Sequence, residues 1–331
     1  MKKLSILLAV TLLLTMSVIL FAGCSSGDYD FTVGILSGSE IDAFAEGRIG
    51  FEARLTELME EAGYTVTFDH RNANGEIPTA NSIATTFAAQ GVDLIFSMGT
   101  SASQAALPVA QDAEIPFVFG IITDPVGSNL VHQGSSTGSS SALPMDTQVD
   151  LLEELLGTTL DQNNRIAFLY THEEPNSVAT RNRMEAAAPA GTIVPLGIPR
   201  NGVAQLAALF TQIAGDDTIV AIYVPQDNQL VGAMTQIQNL NRDMENSLPI
   251  VVADLPIVHQ GAVAALTVCF EVNGATAAEL AFDILVNDRW HASFYSPSAD
   301  TLTLYVNPGE AAYIGFTIPQ AIINRADRVF D

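Results

Sequence analysis

Lysine is missing from almost the whole chain. The only two lysines are Lys2 and Lys3, so every later basic residue is an arginine or a histidine. A chain without lysine cannot form a Schiff base with a carbonyl compound or with pyridoxal phosphate, and it lacks the phosphate-binding lysine of a P-loop. These absences exclude several large classes of enzyme site.

Positive charge is scarce overall. The 331 residues contain 13 lysines and arginines against 37 aspartates and glutamates, a net charge of −24. Nucleic-acid binding needs clustered positive charge, so we expect no nucleic-acid partner. This acidity predicts a soluble, self-repelling surface and leaves the function open.

Cysteines and catalytic motifs are few. The two cysteines are Cys24 and Cys269, and Cys269 lies in an apolar run, where we expect a buried small side chain rather than a nucleophile. The five histidines show no metal-ligand spacing, and no G-x-G-x-x-G follows a predicted strand. We identify no catalytic constellation and expect no metal or cofactor.

The first residues have the pattern of an export signal. Two lysines precede the apolar run Leu4–Ala22, and Phe21-Ala22-Gly23-Cys24 is similar to a bacterial lipobox, in which Cys24 is lipidated. The alternative is an uncleaved anchor helix, since the run is just long enough to span a bilayer. We predict a signal peptide over residues 1–23 and a lipidated tether over residues 24–30; more than one acyl chain would anchor the protein stably.

The rest of the chain alternates between apolar strands and helices, which indicates parallel βαβ units. A serine- and glycine-rich segment, Gly134–Ser141, breaks the alternation, which then begins again. Two such units in succession predict an α/β fold of two similar Rossmann-like lobes with parallel sheets. The predicted strands are Phe31–Leu36, Tyr64–Asp69, Asp93–Met98, Pro116–Ile122, Arg165–Tyr170, Thr192–Ile198, Thr218–Val224, Pro249–Ala253, Ala262–Val268 and Thr301–Val306.

Small or polar residues follow most of these strands. Ligands of open α/β sheets bind beyond the carboxyl ends of the strands, so two facing lobes would enclose a polar cleft there. The alternative for each residue is an ordinary turn or helix cap. The candidate ligand-binding residues are Ser37, Ser39, Glu40, Gly99, Thr100, Ser101, Thr123, Asp124, Asn176, Ser177, Asp227, Asn228 and Asp254.

The turn Gly99-Thr100-Ser101 is the most informative of these segments. Its hydroxyls and the free N–H groups of the following helix suit a carboxylate. Asp227 and Asp254 could pair with an ammonium group, and Glu40 is a further candidate. Three aromatic residues could flank an apolar side chain or could simply be core: Tyr170, Tyr223 and Phe44.

Several short motifs occur in an order that carries a family resemblance. They are Asn72-Ala73-Asn74-Gly75, Asp93-Leu94-Ile95, Gly99-Thr100, Gln104-Ala105-Ala106, Thr123-Asp124-Pro125-Val126-Gly127, Tyr223-Val224-Pro225, Asp227-Asn228 and Tyr305-Val306-Asn307. With them, the chain resembles substrate-binding lipoproteins of ABC transporters, in the subgroup linked to tryptophan and tyrosine uptake.

The resemblance implies a type I periplasmic-binding fold, two lobes joined by three crossings. It places these near Leu143–Thr147, Thr267–Phe270 and Trp290–Ser296. The lobes would comprise residues 31–145 plus 268–294 and residues 146–267 plus 295–331. The aromatic character of the expected amino acid-like ligand, and an ABC permease as partner, follow from the resemblance alone.

The leading hypothesis is therefore an extracytoplasmic, monomeric solute receptor, lipid-anchored to the bacterial membrane, that closes around its ligand by hinge motion. A second hypothesis is a lipoprotein that senses the ligand and signals to a membrane partner. A third, a lipid-anchored α/β enzyme, is disfavoured because we identify no catalytic constellation.

Overall fold

The computed structural model describes residues 29–254 and 258–330. Cys24 and the predicted signal peptide lie outside the described residues. The first sheet has five parallel strands in the order β2-β1-β3-β4-β5. Its strands are β1 (Phe31–Ser37), β2 (Val66–Asn72), β3 (Leu94–Met98), β4 (Phe117–Ile122) and β5 (Ser136–Ser140).

Helices connect the first four strands. They are α1 (Asp42–Ala62), α2 (Ile77–Gln90) and α3 (Thr100–Asp112). Every residue of β3 and β4 is buried, as expected for central parallel strands covered on both faces. α1 ends at Gly63 (φ 81°) and α2 at Gly91 (φ 69°), left-handed positions where a glycine stops a helix at little cost.

The second sheet has seven strands in the order β12-β11-β10-β9-β8-β6-β7. β11 runs antiparallel to β10, so the last two strands oppose the others. The strands are β6 (Arg165–Thr171), β7 (Ile193–Ile198), β8 (Ile219–Val224), β9 (Ile250–Val252), β10 (Ala264–Thr267), β11 (Thr303–Val306) and β12 (Arg328–Val329).

Eight further helices complete the described part of the fold, together with three short 3-10 turns. The helices are α4 (Met145–Leu156), α5 (Pro175–Ala187), α6 (Leu206–Ala214), α7 (Asn228–Gly232), α8 (Met234–Arg242), α9 (Phe270–Asn287), α10 (Pro308–Tyr313) and α11 (Gln320–Arg325).

The chain passes between the two sheets three times. It leaves the first sheet after Ser140, and α4 packs on α5 beside the second sheet. It returns after β10, because α9 packs on α1, and it leaves again after Tyr295, which still pairs with Ser139. We call the five-stranded sheet with its helices the first lobe and the seven-stranded sheet the second. The division of the chain into separate folding units stays a prediction.

Two glycines permit the close packing of α1 on α9. A Cβ atom on Gly274 would lie 1.8 Å from the carbonyl oxygen of Gly47, and one on Gly50 would lie 2.0 Å from that of Glu271. Arg54 adds an ion pair to Glu279 across the same contact at 3.1 Å. α9 is therefore held firmly against the first lobe directly after it crosses from the second.

The segment predicted to break the pattern, Gly134–Ser141, instead contains β5. All five residues of that strand are buried. Its serine hydroxyls are accommodated by internal acceptors: Ser136 donates to Leu130 O, and Ser140 donates to Ile122 O at 2.8 Å. Serine therefore replaces the usual apolar residues here because each of these hydroxyls has a partner.

Two further details differ from the predicted elements. The sequence pattern of Gln229–Met244 predicts one continuous helix, but the structure has two, α7 and α8, separated at Ala233 (φ −102°). The short helix α10 was not predicted; its proline start and the Asn307 side chain, which accepts from Glu310 N at 2.9 Å, stabilise its first turn.

Candidate functional site

A cavity lies between the lobes at the carboxyl ends of their strands. It has about 330 Å³ of free space and is lined from the first lobe by Phe44, Thr100 and Thr123 and from the second by Asn228 and Asp254. A neighbouring cavity of about 430 Å³ shares Phe44, Gly99, Thr100 and Asn228 with it. We call the two together the interlobe cleft.

The turn after β3 forms one wall of the cleft. Gly99 has φ 92° and could not carry a side chain, since a Cβ there would lie 2.8 Å from the Phe44 ring. Thr100 begins α3 and is 3% exposed, and its Oγ1 is buried without a hydrogen-bond partner in the described part of the chain. The Ser39 hydroxyl, in the adjoining cavity, is also buried and has no partner there among the described residues. These hydroxyls and the free N–H groups at the start of α3 offer donors to an anionic group.

Asp254 lies on the opposite side of the cleft. It is 2% exposed, and its Oδ1 has no partner among the described residues. Burial, together with the nearby carboxylates of Glu46 and Asp42, raises the pKa of Asp254 to about 7. Burial also raises the pKa of Glu46, aided by Asp42 and Glu271. A cationic group entering the cleft would relieve this unfavourable charge at Asp254.

Gln226 joins the two lobes across the cleft. Its Oε1 accepts from Ser141 at 3.1 Å and from Thr123 at 3.4 Å, while its Nε2 is buried and has no partner within residues 29–254 and 258–330. Asn176 donates to the backbone oxygen of Gln226 at 2.5 Å, which fixes that turn. Sequence reasoning missed Gln226, although it stands between two residues that were named in the family motifs.

Asp227 does not face the cleft. It is fully buried, and its carboxylate accepts from Thr171 N (2.7 Å) and Oγ1 (3.0 Å) and from Gln229 N (3.1 Å) and Leu230 N (2.9 Å). These four donors link β6 to the start of α7. The arrangement contradicts the expectation that Asp227 pairs with a ligand ammonium group.

Glu174 is a carboxylate of the cleft that the sequence did not single out. It is 6% exposed, lines the adjoining cavity and accepts from Asn228 N at 3.0 Å. Burial and the nearby charge of Asp227 raise the pKa of Glu174 to about 7, and burial also raises the pKa of Asp227. The second lobe therefore contributes one buried carboxyl group to each cavity, Asp254 to the first and Glu174 to the second.

The apolar part of the cleft comes from Phe44, Ile41, Ile121 and Phe270. Of the predicted aromatic residues, only Phe44 lies there. Tyr223 is core, because it is fully buried against Phe168 and donates to Gln148 Oε1 at 3.1 Å. Tyr170 packs against His172 and Arg181.

The structure brings most of the predicted site residues together. Those lining the cleft are Ser39, Gly99, Thr100, Ser101, Thr123, Asn176, Asn228 and Asp254. Those that do not line it are Ser37, Glu40, Asp124, Ser177 and Asp227. Of the latter, Ser37 is hydrogen-bonded to His70 at 2.9 Å, and Glu40 accepts from Asn72 at 2.6 Å. Asp124 accepts from Gly127 N at 2.8 Å.

One segment has the residue spacing of a serine-hydrolase nucleophile elbow but lacks the geometry of that elbow. Gly134–Gly138 reads G-x-S-x-G, but a nucleophile elbow needs an exposed serine between a strand and a helix. Ser136 instead begins β5, is 2% exposed and donates to Leu130 O. Within residues 29–254 and 258–330, no cluster of His, Cys, Asp and Glu could hold a metal ion, and no helix is long and apolar enough to cross a membrane.

Comparison with known proteins gives consistent matches. The family model described as "ABC transporter substrate binding protein" matches residues 32–330. A "Tyrosine-binding protein" from Clostridioides difficile (strain R20291) is 28% identical over 267 residues, covering 76% of this chain and 72% of that protein.

Solved structures show the same fold. An ABC domain in complex with L-Trp from Streptococcus pneumonia superposes with a TM-score of 0.77 at 23% identity, covering 91% of this chain and 99% of the other. A ligand-free, open substrate binding protein with adhesive properties from Clostridium difficile has a TM-score of 0.65 at 24% identity, with the same coverage. These neighbours confirm the predicted fold of two α/β lobes.

Proposed function

Because the chain belongs to the family of ABC transporter substrate-binding proteins, we propose that it binds an aromatic amino acid in the interlobe cleft. The observation that supports the proposal most strongly is that one cavity contains hydrogen-bond donors and a carboxyl group. The Thr100 hydroxyl at the start of α3 lies on one side and Oδ1 of Asp254 lies on the other, and neither atom has a hydrogen-bond partner among the described residues. A free amino acid presents a carboxylate and an ammonium group, and both would find partners.

The apolar wall supports an apolar ligand side chain. Phe44, Ile121 and Phe270 line the same cavity as Thr100 and Asp254. An aromatic ring would bury its faces against such residues and gain from aromatic contacts. The tyrosine-binding relative and the tryptophan-bound structural neighbour add support for an aromatic side chain.

Hinge closure supplies the mechanism. The cleft is lined by both lobes, and Gln226 of the second lobe already contacts Ser141 and Thr123. A ligand that contacts both lobes binds the closed form more tightly than the open form, and so shifts the equilibrium towards closure. The closed, monomeric protein would then dock on an ABC permease.

Anchoring completes the proposal. The lipobox-like Phe21–Cys24 supports a lipid on Cys24, which would hold the protein on the outer side of the membrane, beside its permease. An acidic chain with no lysine after Lys3 suits that position because it stays soluble and avoids nonspecific binding to anionic lipid.

A thermal-shift screen tests the ligand assignment. The purified protein is unfolded and refolded to remove bound ligand, and then heated with each standard amino acid, with sugars and with purines. A ligand at about 100 times its dissociation constant adds about 2.7 kcal/mol, which raises the melting temperature by about 5–11 °C. L-tyrosine, L-tryptophan or L-phenylalanine should give this increase. Stabilisation by a sugar or purine and by no amino acid would overturn the proposal.

A further inference from the structure

We propose that Asn273 is a positioning residue for ligand selectivity: it holds Ile121 in a left-handed backbone conformation and so sets the apolar wall of the interlobe cleft. The selectivity part of this inference rests on the proposed function. Asn273 does not line the cleft, whereas Ile121 does.

Ile121 has an unusual backbone conformation. Its φ is 55°, a region that β-branched residues rarely occupy because the side chain crowds the backbone. It lies in an irregularity of the β4–β5 ladder, between the pairs Phe119–Gly138 and Ile122–Ser140. Strained conformations of this kind persist only when the surroundings fix them, and they concentrate at functional sites.

Asn273 supplies the contacts that fix this conformation. Its Oδ1 accepts from Ile121 N at 3.0 Å and from Ser139 Oγ at 2.7 Å, and its Nδ2 donates to Ser140 O at 2.8 Å. The side chain is 2% exposed. One amide therefore ties together the ends of β4 and β5 at the point where their ladder is irregular.

The position of Asn273 makes this arrangement rigid. It is three residues after Phe270, which begins α9 and lines the cleft. The next residue, Gly274, lies so close to Gly47 that α9 cannot shift towards α1. The Ile121 side chain also packs over Gly47, where an added Cβ would lie 2.5 Å from Ile121 Cδ1. Asn273 therefore fixes Ile121 relative to both Phe270 and α1.

Removing the amide should change which side chain the cleft prefers. Asn273→Ala leaves the Ile121 N–H without its acceptor, so Ile121 is free to relax towards an extended conformation and move out of the wall. The ratio of dissociation constants for L-tryptophan and L-leucine should change at least fivefold. Asn287→Ala is the matched control, an asparagine at the far end of the same helix, and it should leave that ratio within twofold.

Calorimetric titration of the two variants and the wild type with L-tryptophan and L-leucine gives these ratios. If Asn273→Ala lowers the melting temperature but leaves the ratio unchanged, Asn273 is merely structural and the inference is overturned. If Asn273→Ala does not fold, Asn273→Ser replaces it, because this variant also lacks the amide that accepts from Ile121 N. A shifted ratio in Asn273→Ser supports the inference, and an unchanged ratio overturns it.

Hydrogen exchange separates this inference from the proposed function. If no amino acid binds the wild type, the proposed function fails, yet exchange at the Ile121 amide still tests the contact. The inference expects slow exchange in the wild type and at least tenfold faster exchange in Asn273→Ala relative to Asn287→Ala. Equal exchange rates in the two variants would overturn it.

Discussion

Replacing Asp254 by asparagine should stabilise the ligand-free protein at neutral and alkaline pH while weakening ligand binding. Asp254 is buried with one unpartnered oxygen and faces Glu46 and Asp42, so its ionised form is unfavourable in the fold. Asparagine keeps the shape and cannot ionise. A residue such as Asp254, which lowers the stability of the ligand-free protein, is expected at a position where ligand binding requires it.

The direction and the size of the predicted change in stability follow from the pKa of Asp254. The pKa of Asp254 is about 7 in the fold against 3.8 ordinarily. Because the folded state keeps the proton longer, the free energy of unfolding decreases as pH rises from about 4 to about 7, by about 1.4 kcal/mol per pH unit, and is constant above that. Asp254→Asn lacks this decrease, so its advantage grows with pH to at most about 4 kcal/mol, on the order of 10 °C in melting temperature.

Thermal melts of ligand-free wild type and Asp254→Asn from pH 4 to pH 8 measure this effect. Asp217→Asn is the control, because Asp217 is an exposed acidic residue of the second lobe and should leave the pH profile unchanged. The reasoning is refuted if Asp254→Asn melts at or below the wild-type temperature at pH 8, or if the two profiles run parallel.

Three further predictions concern other parts of the site and the anchor. Thr100→Ala should weaken amino-acid binding at least tenfold, about 1.4 kcal/mol, measured by calorimetry. Thr85→Ala, at an exposed position, is the control and should not weaken binding. If Thr100→Ala binds the amino acid as tightly as the wild type, Thr100 is not part of the site. Asp227→Ala should lower the free energy of unfolding by about 2–4 kcal/mol, measured by urea denaturation, because four donors lose their acceptor. An unchanged urea midpoint of unfolding would contradict the role of Asp227 in linking β6 to α7. Cys24→Ser should abolish labelling by a fatty-acid analogue in a bacterial host, and labelling at the wild-type level would disprove lipidation of Cys24.

The fold was largely predictable because local patterns and tertiary packing agree. The buried strands β3 and β4 are apolar except for Ser97, and Gly63 and Gly91 mark helix ends with residues suited to left-handed conformations. β5 was missed because its buried residues are mostly serine, and only their tertiary acceptors explain their burial.

The site was only partly predictable, for a different reason. The turn at Gly99–Ser101 could be recognised from the local sequence, because a glycine followed by small hydroxyl residues leaves the first N–H groups of the next helix accessible. Asp227 and Asp254 look alike in sequence, yet one caps α7 and the other faces the cleft. The conformation of Ile121 has no local signal at all, because it depends on Asn273, which is 152 residues away along the chain.

In the proposed complex, the interlobe cleft holds an amino acid by both of its charged groups. Calorimetric titration with L-tryptophan, tryptamine and indole-3-propionate tests it most directly, since tryptamine lacks the carboxylate and indole-3-propionate lacks the ammonium group. L-tryptophan should bind at least tenfold more tightly than either analogue, and Asp254→Asn should abolish its advantage over indole-3-propionate. Equal binding of all three compounds would contradict the account.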